Sequence, residues 1–258
     1  MHTKEDYIAV FDSGVGGISV LRELIKQMPG ENYLYFGDSA NAPYGNRLTE
    51  EVRTLTLQAV EKLLPRGLKA FVVACNTATS AAVRVLREMY PELIVVGIEP
   101  ALKMAADRFP NGRVGVMATK VTLREEKLAY LVAQFPEVQV ERIAAPGLVE
   151  LVESGQVSGK NVENLLKEIL APYVGKLDAL VLGCTHYPFV RKTVAKILGE
   201  DTVIFDGGEG TARHTRCLLE KAGLLGEGSG RIVIENSSKA PELLELSHKL
   251  LYIQEEEL

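Results

Sequence analysis

Apolar and polar positions along the chain alternate between two rhythms. Short runs rich in β-branched and aromatic residues recur at 7–12, 32–37, 69–74, 93–98, 112–117, 137–143, 178–183, 201–206 and 230–235, and each predicts a strand. Between them lie longer stretches, such as 48–64 and 160–173, whose apolar residues return every three or four positions. That is the period of an amphipathic helix. Strands alternating with helices predict βαβ units, and so an α/β fold whose mostly parallel sheets are covered by helices on both faces. The near-continuous apolar runs Phe71–Ala74 and Leu180–Gly183 fit strands buried on both faces. In such sheets ligands bind outside the carboxyl ends of the strands. Candidate chemistry is therefore expected just past each strand.

The pattern also repeats. Residues 69–75 lie over 178–184 at an offset of 109, 9–13 over 115–119 at 106, and 95–99 over 202–206 at 107. Three matches at nearly one offset predict a duplication into two similar, pseudo-symmetric α/β domains. Facing halves would set their strand ends, and with them Cys75 and Cys184, on opposite walls of one cleft. No Gly/Ser/Pro-rich linker separates the halves, so tight apposition is expected.

Composition narrows the class without changing the picture. The 258 residues are 47% apolar and 24% charged, enough to bury a sizeable core without disulfides or a structural metal. A net charge of −5 gives no broad electrostatic footprint for nucleic acid. The apolar runs are strand-length, far short of a bilayer span, so no membrane partner is expected. Met1 to Tyr7 carries no apolar core of a secretory signal. Three cysteines without a C-x-x-C fit a reducing compartment. The expectation is a cytoplasmic protein. The run Glu255–Glu257 reads as a solvated or frayed end.

Two thiols stand out. Cys75-Asn76-Thr77-Ala78-Thr79 and Cys184-Thr185-His186-Tyr187-Pro188 each follow a buried strand, and Asn76, Thr77 and Thr185 are suited to cap a helix. A helix amino end binds carboxylates and lowers a thiol's pKa. One such cysteine alone would be an ordinary small core residue, but two at equivalent places point to function. Cys217 has no such setting and reads as an inert helix residue.

The loop Asp12-Ser13-Gly14-Val15-Gly16-Gly17-Ile18-Ser19 nearly matches a dinucleotide fingerprint, with Asp38 closing the next strand. Ser19 replaces the third glycine, however, and Asp12 would meet the pyrophosphate. Asp12 and Ser13 instead offer a proton acceptor and a hydroxyl. Pro43-Tyr44-Gly45, Thr119, Asp38 and Glu153 follow other strands or border the same edge. A metal site drawn from Cys184, His186, Cys75 and Asp12, as in a Cys/His metal-dependent hydrolase, is a rival, as is a binding domain that does not need its thiols.

These motifs, FDSGVGG, YFGDSANAPYGNR, VVACNTAT, VMATKVT, PGLVELVESG and LGCTHYP in this order, resemble the glutamate racemases of the aspartate/glutamate racemase superfamily from about residue 8 to 206. The resemblance implies two α/β domains, 1–98 completed by 207–258, and 99–206, with the active site in the cleft between them. It implies a cofactor-independent, metal-free enzyme acting on glutamate and supplying D-glutamate for peptidoglycan, with a homodimer as its usual assembly. Carried over by motif, Cys75 and Cys184 are the two bases, Asp12 and His186 assist them, and Asp38 and Glu153 are further site carboxylates. Ser13, Tyr44, Gly45, Asn76, Thr77, Thr119 and Thr185 bind substrate. An aspartate racemase of the same superfamily is the nearest alternative. The chain departs from the family at Leu48, at Glu125 and Leu128, and at Gly207, all on the expected cleft rim or subunit contacts.

Overall fold

The structure is a computed structural model that describes residues 2–98, 101–124, 126–226, 228 and 230–254. Met1, Glu99, Glu125 and Glu255–Glu257, which the sequence reading touches, lie outside the described residues. Contacts divide the chain into two units, Met1–Glu99 with Gly208–Leu251, and Pro100–Gly207 with Tyr252–Leu258.

The first unit holds β1 (Tyr7–Asp12), β2 (Tyr33–Gly37), β3 (Leu68–Val73), β4 (Ile94–Gly97) and, from the returning chain, β9 (Ile232–Asn236). They form one sheet in the order β4-β3-β1-β2-β9, every pairing parallel. The second unit holds β5 (Arg113–Ala118), β6 (Gln139–Ala144), β7 (Ala179–Leu182) and β8 (Val203–Asp206) in the order β6-β5-β7-β8, again all parallel. Each strand expected from the apolar rhythm is present, shifted by at most two residues at either end. The stretch 48–64 forms the helix α2 (Thr49–Leu63), and 160–173 forms α8 (Lys160–Leu170) followed by a 3-10 turn at Ala171–Tyr173. Proline at 172 explains the switch, since it cannot continue an α-helical ladder.

The duplication read from sequence reappears as topology. Reading β1, β2, β3, β4 onto β5, β6, β7, β8 turns one sheet order into the other, with β9 added at an edge. The same backbone bonds recur beyond the strand ends. Ala74 N–H donates to Phe11 C=O at 2.8 Å, as Gly183 N–H does to Met117 C=O at 2.8 Å. Asp38 N–H donates to Asp12 C=O at 2.9 Å, and Ala145 N–H to Ala118 C=O at 3.3 Å.

The first unit's core crosses three neighbouring strands, where Phe11 stacks with Phe36 (6.4 Å between ring centroids) and Phe71 (5.9 Å). One residue of the predicted apolar strand breaks the pattern. Lys69 is fully buried, with Nζ 2.5 Å from Glu31 Oε2, and it also donates to the carbonyls of Lys4 and Leu224. Gly226 N–H satisfies the other Glu31 oxygen at 2.7 Å. A buried charge persists only when paired and hydrogen-bonded, and this pair fastens the returning chain to the start of β3.

Candidate functional site

In a parallel sheet every carboxyl end lies along one edge, and a crevice opens where successive connections leave in opposite directions. In the first unit the chain goes from β1 to β2 on one side and then to β3 on the other, so the switch falls between β1 and β3. Asp12 ends β1, Ser13 follows it, and Cys75 lies just past β3. The Cys75 thiol lies 3.6 Å from Ser13 Oγ. In the second unit the switch falls between β5 and β7, which are followed by Thr119 and by Gly183-Cys184.

Cys75 is itself the cap of helix α3 (Asn76–Met89), not the residues after it. Its carbonyl accepts Thr79 N–H at 2.9 Å, and Asn76 and Thr77 occupy the first turn. The first-turn N–H groups of a helix have no intrahelical acceptor and carry the positive end of its dipole. A thiolate or a substrate carboxylate is favoured there.

Asp12 is buried, and its carboxylate accepts Gly14 N–H at 3.0 Å. Gly17, which caps helix α1 (Ile18–Gln27), lets the helix approach this carboxylate. A Cβ at Gly17 would stand 2.5 Å from Asp12 Cβ and 3.2 Å from Ala74 Cβ. Asp38 follows β2 and is also buried. It accepts the Tyr44 hydroxyl at 2.5 Å and the Asn41 amide at 3.0 Å. Burial raises the Tyr44 phenol pKa well beyond its ordinary range, reinforced by the Asp38 hydrogen bond and by the charges of Asp38, Cys75 and Asp12. Tyr44 therefore stays a protonated donor. Its ring belongs to the core beside Phe11, so the Pro43-Tyr44-Gly45 turn is anchored from below, with Gly45 half-buried above it.

In the second unit, Cys184 Sγ lies 3.6 Å from His186 Nδ1, and His186 Nε2 lies 2.6 Å from Glu153 Oε1. Glu153 ends helix α7 (Leu148–Glu153). Burial works against the imidazolium of His186, but the hydrogen bonds to Cys184 and Glu153 and their charges outweigh it. The net effect raises the His186 pKa well above its ordinary 6.5. His186 therefore holds a proton between the Cys184 sulfur and the Glu153 carboxylate. Thr185 is buried beside this thiol. His186, rather than Thr185, caps the 3-10 turn Tyr187–Val190, which leads into helix α9 (Arg191–Leu198). Thr119 caps the short helix α5 (Lys120–Arg124), its Oγ1 3.3 Å from Thr122 N and 3.0 Å from Thr122 Oγ1.

Both ring nitrogens of His186 thus already have partners, and among the described residues no group of three or more metal-ligating side chains gathers. The residues that the sequence singled out fall into two groups, Asp12, Ser13, Asp38, Tyr44, Gly45, Cys75, Asn76 and Thr77 in one unit, and Thr119, Glu153, Cys184, Thr185 and His186 in the other. Tyr187 went unread. It is buried next to His186, its hydroxyl 3.4 Å from Ala145 C=O, and burial together with the Cys184 charge raises its pKa. Only its place beside a candidate histidine could have marked it.

The residue pattern of Asp/Glu/hydantoin racemases matches positions 10–243. The chain belongs to the Asp/Glu/hydantoin racemase family. It is 47% identical over 251 residues to a glutamate racemase of Clostridium perfringens, covering 96% of each chain. Among solved structures, it is similar to a glutamate racemase of Francisella tularensis in complex with D-glutamate, with a TM-score of 0.85 and 29% identity over 97% of this chain and 95% of that one. A glutamate racemase isoform from Bacillus anthracis gives a TM-score of 0.86 and 33% identity, over 97% of this chain and 96% of that one. Family membership and geometry bear on the same residues, because both thiols lie within the matched span.

Proposed function

We propose that this protein interconverts L-glutamate and D-glutamate by a cofactor-independent proton transfer between two cysteines. The observation that carries the reading is the duplicated thiol: Cys75 and Cys184 occupy the switch points of two sheets with the same strand order. Racemisation removes the α-proton from one face of a carbon and returns a proton to the other, so it needs two acid–base groups. One thiolate takes the α-proton and becomes a thiol. The other thiol gives its proton to the opposite face and becomes a thiolate. The reverse reaction exchanges the roles, and solvent exchange resets the pair.

Free cysteine has a pKa near 8.5, so only about a few per cent is thiolate at neutral pH. His186, held by Glu153, faces the Cys184 thiol to assist its proton transfer, while Asp12, Ser13 and the amino end of α3 serve Cys75. The carbanionic intermediate is stabilised by donors to the α-carboxylate, for which backbone N–H groups, Asn76, Thr77, Thr119 and Thr185 are proposed, while Ser13, Tyr44 and Gly45 are proposed to bind the substrate. Identity to a relative named as a glutamate racemase supports glutamate over aspartate. A place in peptidoglycan synthesis, a cytoplasmic location and a homodimer belong to the same reading. No described helix is long and apolar enough to cross a membrane.

Proton NMR of L-glutamate in D₂O with metal-stripped protein, paired with circular dichroism, tests the proposal. Loss of the α-proton signal together with decay of optical activity supports it. Preference for aspartate overturns the substrate, and no exchange with either overturns the reaction. Replacing Cys75 or Cys184 with Ala is expected to abolish racemisation in folded protein. Full activity in either variant refutes the two-thiol scheme.

A further inference from the structure

The carboxyl end of β9 meets the first unit's candidate residues at several points. Asn236 Nδ2 donates to Ser39 Oγ at 2.9 Å, and Ala40 N–H donates to Ser237 Oγ at 3.0 Å. Ser237 N–H donates to Gly37 C=O at 2.9 Å, extending the β2–β9 ladder beyond the strand. The Asn236 side chain is itself held, its Oδ1 accepting Ser238 N–H at 2.8 Å. Gly37 is the point of closest approach. A Cβ there would stand 2.5 Å from Gly14 C=O and 3.0 Å from Asn236 Nδ2, while Tyr35 donates its hydroxyl to that same carbonyl at 2.6 Å. Three strand ends, those of β1, β2 and β9, therefore close-pack around residue 37.

The segment so gripped, 37–41, is the one that holds Asp38. Asp38 N–H is bonded to Asp12 C=O, and the Asp38 carboxylate holds Tyr44. Hydrogen bonds joining Asn236 and Ser237 to residues 37–40, and Asp38 to Tyr44, thus link β9 to the Tyr44-Gly45 turn through one loop. We propose that Asn236 and Ser237, contributed by the returning chain some 200 residues after the loop they grip, are positioning residues for the substrate-binding turn at Tyr44-Gly45. They touch no reacting atom. They act by fixing the 37–41 segment, which fixes Asp38 and, through it, Tyr44. A loop held this way contacts bound glutamate equally in the ground and transition states, so its loosening raises KM and leaves kcat. This kinetic consequence rests on the racemase reading; the structural coupling does not.

The test uses the whole protein labelled with [¹³Cζ]-tyrosine, the Tyr44 signal being assigned by Tyr44→Phe among the nine tyrosines. In the double variant Asn236→Ala/Ser237→Ala, the Tyr44 signal is expected to move while the other tyrosine signals hold, which also shows that the fold is kept. KM for glutamate is expected to rise about fivefold with kcat within about twofold, the scale of one or two neutral hydrogen bonds. Ser237→Thr, which keeps the hydroxyl acceptor, is expected to match the wild type. An unmoved Tyr44 signal overturns the proposal, as does a moved signal with unchanged KM or a loss confined to kcat. If the wild-type protein fails to racemise glutamate, the racemase reading fails, and the Tyr44 signal still decides whether β9 holds the loop.

Discussion

Glu153 Oε1 and His186 Nε2 lie 2.6 Å apart, and the opposite nitrogen of the same ring faces the Cys184 thiol at 3.6 Å. The carboxylate thereby acts on a thiol it does not touch, by keeping a proton on the imidazole between them. Glu153→Gln removes the charge of one of the two partners that offset burial, so the His186 pKa is expected to fall from its raised position. With His186 less often protonated at neutral pH, kcat/KM is expected to fall about tenfold, the scale of one pKa unit. The loss is the same in both directions, because enantiomers have equal free energies in water. Progress curves from each enantiomer, followed by circular dichroism, check this.

The raised His186 pKa is also a statement about stability. Between the unfolded pKa and the higher folded one, the native state binds more protons than the unfolded chain, so stability falls as pH rises. The stabilisation is complete below about pH 6.5 and is lost upward through the folded pKa, at most about 1.4 kcal/mol per pH unit. Urea midpoints measured across that window are expected to decline in the wild type and to flatten in His186→Asn.

Gly17 is the contact that lets α1 rest on Asp12. Gly17→Ala places a methyl group 2.5 Å from Asp12 Cβ, so the helix or the carboxylate must move. Overpacking of this kind costs about 1–3 kcal/mol. Thermal unfolding is expected at a lower temperature, with kcat/KM reduced by more than the lost folded fraction explains. Activity retained in full at a lowered Tm would mean that the displaced Asp12 does no work at Cys75.

Lys69 and Glu31 give a prediction for stability alone. Lys69→Met leaves the Glu31 charge buried without its partner, a change of about 3–5 kcal/mol in comparable cases. Denaturant unfolding is expected to register that loss, and Lys69→Met combined with Glu31→Leu to recover most of it. The pair sits at the amino ends of the strands, away from the thiols, so the folded fraction of either variant should keep its kcat.

The α/β class was legible because the strands are local. Tyr7–Asp12 or Ala179–Leu182 declares itself through apolar β-branched residues whose burial any parallel sheet demands. The duplication was legible for a related reason: equivalent strands keep equivalent neighbours, so the bond from Ala74 to Phe11 has its counterpart in the bond from Gly183 to Met117. The strand around Lys69 was legible, but the burial of its charge was not. Its burial depends on Glu31, Lys4 and Leu224, which no local window contains.

By itself the sequence determined which residues end the strands, and therefore that two thiols, Asp12, Ser13 and His186 lie at carboxyl ends where ligands bind. Strand ends follow from short-range periodicity and from the commitment of parallel sheets to one chemical edge. Tertiary structure decided the partners: Glu153 for His186, Asp38 for Tyr44, Asn236 for Ser39, Glu31 for Lys69. Most of these pairings join residues tens to hundreds of positions apart. A carboxylate or amide reads alike in sequence whether it is solvated or buried, and only the packing around it sets which proton it holds and which side chain it fixes.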